Sequence, residues 1–151
     1  MDTLQRLAEI EAIRLLKARY FRCADTFDRE GWLSVFTDDC VCIYDTALSR
    51  FAKPGAQGYR VEGKQGMAGF WDPNRKQSVH LGYMAEIEII SETEARAIWG
   101  MEDIVEFTDR SHHGYGHYHE TYRKVGGEWL IATLHLTRLR FSQTQIEPLA
   151  Q

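Results

Sequence analysis

The second half of this chain is a series of long β-prone segments joined by short turns, and this feature constrains the fold more than any other. Four strands are predicted, over residues 84–90, 95–107, 114–124 and 128–140. The Gly126-Gly127 pair before the last strand predicts a hairpin turn, because glycine readily adopts the positive φ angles that tight hairpins need. Strands of this length must twist and bend, so we expect a strongly curved, mostly antiparallel sheet with a concave face.

Apolar residues in the first third recur instead at the spacing of an amphipathic helix. This stripe comprises Leu7, Ile10, Ile13, Leu16, Tyr20 and Ala24. Further along we expect a short helix over 30–36, a short strand over 40–44, a loop over 46–60 that carries Pro54 and Gly55, and a short helix over 64–71. The pattern predicts one α+β domain over residues 1–151, with N-terminal helices packed on the sheet around one pocket and a C-terminal tail over 143–151.

Composition excludes several classes of function. The chain has 151 residues and a formal net charge of -4, and its basic residues are interspersed with acidic ones, which argues against nucleic-acid binding. No apolar run approaches the ~20 residues that span a bilayer, and the first residues lack the apolar core of a signal peptide, so we expect no membrane association and a cytoplasmic location. The three cysteines, Cys23, Cys40 and Cys42, do not form a disulfide framework and are expected to be small buried residues.

One face of the predicted strand 95–107 is apolar except for a single carboxylate, Asp103. Trp99 shares this face. Burying a lone carboxylate is costly, so Asp103 should be paired, protonated or solvated by a cavity. Two interpretations therefore stay open, a structural ion pair and a group at a functional site.

The last predicted strand carries an apolar face that becomes cationic at its end. Alternation places six residues on this face: Leu130, Ala132, Leu134, Leu136, Arg138 and Arg140. An arginine at the mouth of an apolar pocket is suited to hold a polar or anionic ligand group, and the pattern favours Arg140 over Arg138 for this role. The alternative for either residue is a solvated terminal arginine.

Histidines are the remaining candidates for chemistry. His80 is predicted at the start of the sheet, where its role depends on a partner, because a neighbouring carboxylate fixes the tautomer of a histidine that carries protons. His112 and His113 are expected in a loop, and His117 and His119 on a strand. No cysteine or closely spaced carboxylate completes a zinc pattern, and no phosphate-binding or nucleophile motif is present, so no metal and no cofactor are expected.

Three segments resemble the SnoaL-like branch of the nuclear transport factor 2-like superfamily. They are ARYFRCADTFDREGWLSVFTDDC, SVHLGYMAEIEI and GYGHYHETYRKVGGEWLIATLHLTRLRF. The resemblance extends from Leu4 to Phe141 and implies a cone-shaped α+β barrel around one pocket. Within the superfamily the chain is similar to scytalone dehydratase, bile acid 7α-dehydratase and hexachlorocyclohexane dehydrochlorinase.

The resemblance also implies site residues. In those relatives a His–Asp pair drives an elimination, and the pair corresponds here to His80 and Asp25, with Tyr20 and Asp103 as further catalytic groups. Residues expected to bind the substrate are Tyr44, Tyr118, Arg140 and Trp99. A second active-site histidine of scytalone dehydratase falls at Val105 and a tyrosine at Ala24, which moves the comparison toward the bile acid and steroid-like members.

The resulting hypothesis is a cofactor-independent acid–base enzyme of the dehydratase, isomerase or cyclase type. Its substrate would be a hydrophobic alicyclic or polyketide/steroid-like small molecule, and the relatives imply a homo-oligomer, either a dimer or a trimer. Two other classes stay open. One is a non-catalytic small-ligand-binding module, and the other is the structural small subunit of a ring-hydroxylating dioxygenase, which shares this fold.

Overall fold

The computed structural model describes residues 1–48 and 58–146. Within these ranges the helices are α1 (Thr3–Asp25), α2 (Arg29–Ser34) and α3 (Gly63–Phe70). Asp2 caps α1 reciprocally, since its side chain accepts a hydrogen bond from Gln5 N while the Gln5 side chain accepts one from Asp2 N. None of these helices is long and apolar enough to cross a membrane.

The predicted stripe of α1 is correct from its third turn onward. Ile13, Leu16, Tyr20 and Ala24 are buried, whereas Leu7 is 56% exposed, so the N-terminal turns of the helix extend past the core. Lys17 is fully buried as well, although its position at the edge of the stripe gave no sign of this.

The strands form one sheet in the described part of the chain. They are β1 (Phe36–Asp45), β2 (Gly58–Glu62), β3 (Arg75–Ile89), β4 (Glu94–Phe107), β5 (Arg110–Val125) and β6 (Glu128–Gln145). Their order is β2-β1-β6-β5-β4-β3, and every pair is antiparallel except β1 with β6. The sheet is curved and unclosed, and the N-terminal helices pack against the face that we call the inner face. The predicted α+β class and mostly antiparallel sheet are confirmed.

Several predicted boundaries were wrong. Residues 58–62 form a strand that begins inside the predicted loop 46–60, while Pro54 and Gly55 lie outside the described residues. The second helix ends at Ser34 because β1 already begins at Phe36. The strand β3 starts nine residues earlier than predicted, and β5 starts at Arg110, so His112 and His113 lie in a strand. The strand β6 extends into the predicted tail, of which residues 147–151 lie outside the described part.

The Gly126-Gly127 turn joins β5 to β6 as predicted. Both residues have positive φ angles, 60° and 89°, and Val125 pairs with Glu128 across the turn. These are the backbone conformations in which glycine meets no steric penalty.

Register shifts decide which side chains reach the inner face. A one-residue shift moves every following side chain to the opposite face, because the side-chain period of a strand is two. The strand β6 is shifted against β5 at two places, between Thr121 and Tyr122 and between Tyr115 and Gly116. Its buried residues are therefore Trp129, Ile131, Leu134, Leu136 and Arg138. Of the predicted face from Leu130 to Arg140, Leu134, Leu136 and Arg138 are buried as expected, whereas Leu130, Ala132 and Arg140 are not.

Candidate active site

A cavity of about 860 Å³ lies between the helices and the inner face of the sheet. This volume is in the range of pockets that hold small organic ligands, about 300–1,000 Å³. Much of its wall is aromatic and comprises Tyr20, Trp32, Tyr44, Phe70, Trp71, Phe107, Tyr118 and Phe141. The polar side chains that line it include His80, Asp103, His112, Arg138 and Arg75.

His80 and Asp25 form a pair at this cavity. Asp25 is the last residue of α1, and its Oδ1 lies 2.6 Å from His80 Nδ1. The same carboxylate accepts hydrogen bonds from His80 N at 2.8 Å and from Ser78 Oγ at 2.9 Å. Three contacts from one strand therefore fix the carboxylate and the imidazole, and they leave His80 Nε2 as the ring nitrogen available to a ligand.

The surroundings of Asp25 favour its charged form. Burial by itself raises the pKa of this carboxyl, but the hydrogen bonds from His80 and Ser78 outweigh burial and hold the pKa below its usual value. A carboxylate that stays ionised stabilises an imidazolium beside it. The pair is thus suited to accept a proton at His80.

Three tyrosines at the cavity are neutral hydrogen-bonding groups. Burial raises the pKa of Tyr20, Tyr44 and Tyr118 well above the usual value, so their hydroxyls keep their protons. The hydroxyl of Tyr44 is buried and interacts with the hydroxyl of Tyr20. A ligand oxygen beside them would accept a hydrogen bond from either phenol.

Asp103 is held by an arginine on the same wall. Arg138 Nη1 donates to Asp103 Oδ1 at 2.7 Å and Nη2 donates to Oδ2 at 2.9 Å, and both side chains are buried. Gly114, between them on β5, leaves the necessary room, because a Cβ there would lie 2.2 Å from Arg138 Nη1. Of the two interpretations open for Asp103, the structure shows the ion pair, and it places that pair at the cavity.

Two residues predicted to bind the substrate do not line this cavity as the structure describes it. Arg140 is exposed and pairs with Tyr115 on the outer face of the sheet, because the register shift at Leu139 reverses its direction. Arg138 takes the inward position instead. Trp99 is on the inner face but lies in the core, where its Nε1 donates to Tyr122 Oη at 2.8 Å.

His112 lines the cavity, although the sequence analysis placed it in a loop. Its Nε2 lies 3.9 Å from Asp103 Oδ2, and its ring packs against Phe107 and Phe141. Burial lowers the pKa of His112 to about 4, so the imidazole is neutral near pH 7. The sequence did indicate this inward direction, because His112 and the inward-facing Tyr118 are an even number of residues apart on the same strand.

A buried ion pair lies behind two of the tyrosines. Lys17 Nζ is 2.5 Å from Glu120 Oε1, and both side chains are almost fully buried. The ammonium also lies 3.6 Å from the ring centroid of Tyr118 and 4.1 Å from that of Tyr20. Glu120 accepts a further hydrogen bond from the Tyr122 hydroxyl. This cluster links α1 to β5 and contacts the rings of two tyrosines that line the cavity.

Helices packed on a curved, unclosed and mostly antiparallel sheet match the fold of the nuclear transport factor 2-like superfamily. The chain belongs to the SnoaL-like domain family, which matches residues 5–135. The resemblance inferred from the sequence is therefore confirmed.

Individual relatives agree with this assignment. A Gibberella zeae protein named "Probable cyclase FGR4" is 27% identical over 135 residues, covering 84% of this chain and 89% of the relative. A solved structure from Novosphingobium aromaticivorans DSM 12444, provisionally named a scytalone dehydratase, has a TM-score of 0.82 at 20% identity and covers 99% of both chains. The LinA-type3 hexachlorocyclohexane dehydrochlorinase of Novosphingobium barchaimii LL02 has a TM-score of 0.75 at 19% identity, covering 95% of this chain and 94% of its own. At these identities, the two structures establish a shared fold.

Proposed function

We propose that this protein is a cofactor-independent acid–base enzyme that eliminates, isomerises or cyclises a hydrophobic alicyclic or polyketide/steroid-like molecule. The observation that carries the proposal is the 2.6 Å contact between His80 Nδ1 and Asp25 Oδ1 at the wall of a largely aromatic cavity. The names of the relatives, a cyclase, a dehydratase and a dehydrochlorinase, support this general class.

In the proposed mechanism, His80 Nε2 removes a proton from a carbon that is activated by a carbonyl or that lies beside a leaving group. Asp25 orients the imidazole and stabilises the imidazolium that forms. The lowered pKa of Asp25 is consistent with this role, since it keeps the carboxylate charged.

The phenols would supply the complementary interaction. Tyr20 and Tyr44 are placed to donate hydrogen bonds to a developing oxyanion or to a departing hydroxyl, because their raised pKa values keep them protonated. Tyr118 would contact the ligand from the sheet side of the cavity.

Asp103 has a revised role in this proposal. Both of its oxygens accept hydrogen bonds from Arg138, so we assign it to holding the arginine in place rather than to exchanging protons with a ligand. The neutral His112 beside the pair would serve as a hydrogen-bonding group for the ligand.

The test is turnover of hydrophobic alicyclic β-hydroxycarbonyl compounds, followed by mass spectrometry for loss of water or rearrangement. His80→Ala should lower kcat by about 10²–10⁴-fold, the usual contribution of a positioned general base. The matched control is His117→Ala on the outer face, which should keep the wild-type rate. A His80→Ala variant that folds normally and retains near wild-type activity would contradict the proposal.

The two alternative classes of protein predict different outcomes for this test and for purification. A binding module would return its ligand unchanged, and His80→Ala would alter only the affinity. A dioxygenase small subunit would require a large partner, so purification as a stable homo-oligomer with an occupied pocket would argue against that class.

A further inference from the structure

Arg75, the first residue of β3, faces the cavity because of a β-bulge, which simple alternation along the strand does not predict. A register shift between Arg75 and Gln77 leaves Lys76 without a partner on β4. The shift reverses the parity of the strand, so Arg75 lies on the same face as Ser78 and His80 and lines the cavity.

The guanidinium of Arg75 is held close to the His80–Asp25 pair. Its Nη2 donates to the carbonyl oxygen of Ala24, the residue before Asp25, at 2.7 Å. Its Cζ lies 4.5 Å from the ring centroid of Trp71 and 4.8 Å from that of Phe27. Two aromatic faces and one hydrogen bond thus restrict the orientation of the side chain.

The charge of Arg75 is poorly compensated compared with the other arginines of the cavity. Arg138 is paired with Asp103, and Arg110 lies 2.8 Å from Asp109 and 3.9 Å from Asp72. In the part of the chain that the structure describes, no carboxylate forms an ion pair with Arg75 within 4 Å, and Asp25 and Asp72 act on its charge only from a greater distance.

One donor of this guanidinium is also unsatisfied. Arg75 Nε is buried and has no hydrogen-bond partner within residues 1–48 and 58–146. A buried donor on a charged group loses its hydration without replacement, and this cost is recovered when a ligand acceptor occupies the position.

We propose that Arg75 binds a ligand oxygen that carries negative charge or acquires it in the reaction, so that the substrate is a hydrophobic ring system carrying a carboxylate, a phenolate or an enolisable carbonyl. This inference rests on the proposed function and names the substrate class for the same site. When His80 Nε2 takes a proton from a carbon beside a carbonyl, the C–H electron pair forms a C=C bond and the C=O π pair moves onto the carbonyl oxygen. Arg75 then stabilises the resulting enolate, as a preorganised cation does for developing negative charge.

The experiment compares two probes of nearly equal shape, 2-naphthoate and 2-naphthamide, by isothermal titration calorimetry at neutral pH. Wild-type protein should bind the anion about tenfold to hundredfold more tightly, the effect of a charge-assisted hydrogen bond. Arg75→Met should abolish this preference and leave 2-naphthamide affinity nearly unchanged, which also shows that the cavity is intact. Arg75→Lys should retain part of the preference, because the positive charge remains but the planar guanidinium with its paired N–H donors is lost.

Arg110→Met is the matched control, since Arg110 lines the same cavity but already has carboxylate partners. It should keep the preference for 2-naphthoate. The proposal is overturned if the wild type fails to bind 2-naphthoate or prefers neither probe, or if Arg110→Met removes the preference as completely as Arg75→Met. The binding assay does not depend on turnover, so it separates this inference from the proposed function. If the wild-type protein converts none of the compounds but the preference for 2-naphthoate persists, also in His80→Ala, the proposed reaction is contradicted and the role of Arg75 is supported.

Discussion

At the scale of single residues, the environment of the cavity shifts the pKa values of its side chains away from their ordinary values. His112 shows this most clearly, because it is surrounded by Phe107, Phe141 and the Asp103–Arg138 pair. Asp103 raises its pKa and Arg138 lowers it, but burial is the largest effect, and the pKa falls to about 4. A protonated His112 therefore destabilises the folded state.

This shift predicts a specific pH dependence of stability. The pKa of His112 falls from the ordinary histidine value of 6.5 to about 4 on folding, so between these values the unfolded chain binds more protons. The free energy of unfolding should therefore decrease as pH falls from 6.5 to 4, with a slope of up to about 1.4 kcal/mol per pH unit from this residue. His112→Gln should show a shallower decrease in urea unfolding over this window. Parallel curves for the variant and the wild type would contradict the assignment.

At the scale of elements, α1 is attached to the sheet by a buried ion pair as well as by apolar contacts. Lys17 on the helix and Glu120 on β5 meet at 2.5 Å, with the rings of Tyr20 and Tyr118 against the ammonium. Removing one partner leaves an uncompensated charge in the core, whereas removing both charges does not.

A double-mutant cycle tests this attachment. Lys17→Met should lower the free energy of unfolding by about 3–5 kcal/mol, because the Glu120 carboxylate stays buried without its cation. The Lys17→Met/Glu120→Gln double variant should be more stable than Lys17→Met alone, since the neutral amide can still accept the Tyr122 hydroxyl. Chemical denaturation measures all four proteins. A double variant whose loss equals the sum of the two single losses would show that the pair is not coupled.

Strand periodicity predicted the faces of β4 and failed on β6 for an identifiable reason. The strand β4 keeps one register with β5 from Glu94 to Glu106, so alternation correctly placed Asp103 and Trp99 on the inner face. The strand β6 changes register twice, and alternation therefore placed Arg140 on the same face as Arg138, although the two side chains point to opposite faces. A bulge depends on how two strands meet, and neither strand alone encodes it in a periodic pattern.

At the scale of the whole molecule, the outer face of the sheet remains partly apolar. Its exposed side chains include Val79 at 49%, Leu81 at 47%, Tyr83 at 44%, Ile98 at 38% and Ile104 at 40%. Contiguous exposed apolar surface often marks a protein interface. The homo-oligomer expected from the resemblance stays a prediction, and this face is where we expect the subunits to meet.

Light scattering coupled to size-exclusion chromatography tests the prediction. The wild-type protein should elute at a multiple of the 17.5 kDa chain mass. Leu81→Glu should shift it toward a single chain, because a buried charge at an interface is costly. Leu15→Glu is the control, as Leu15 is also exposed but lies on α1. A wild-type protein that is monomeric at all tested concentrations would contradict the prediction.

The sequence by itself determined the α+β class, the hairpin turn at Gly126-Gly127, the core stripe of α1 and the isolated carboxylate on β4. These features depend on local spacing and on the φ angles that single residues allow. Only the tertiary structure decided that Asp103 pairs with Arg138 and that Lys17 pairs with Glu120. It also brought His112 and Arg75 to the cavity. These outcomes depend on strand length, register shifts and contacts between residues far apart in the chain, which local periodicity alone does not determine.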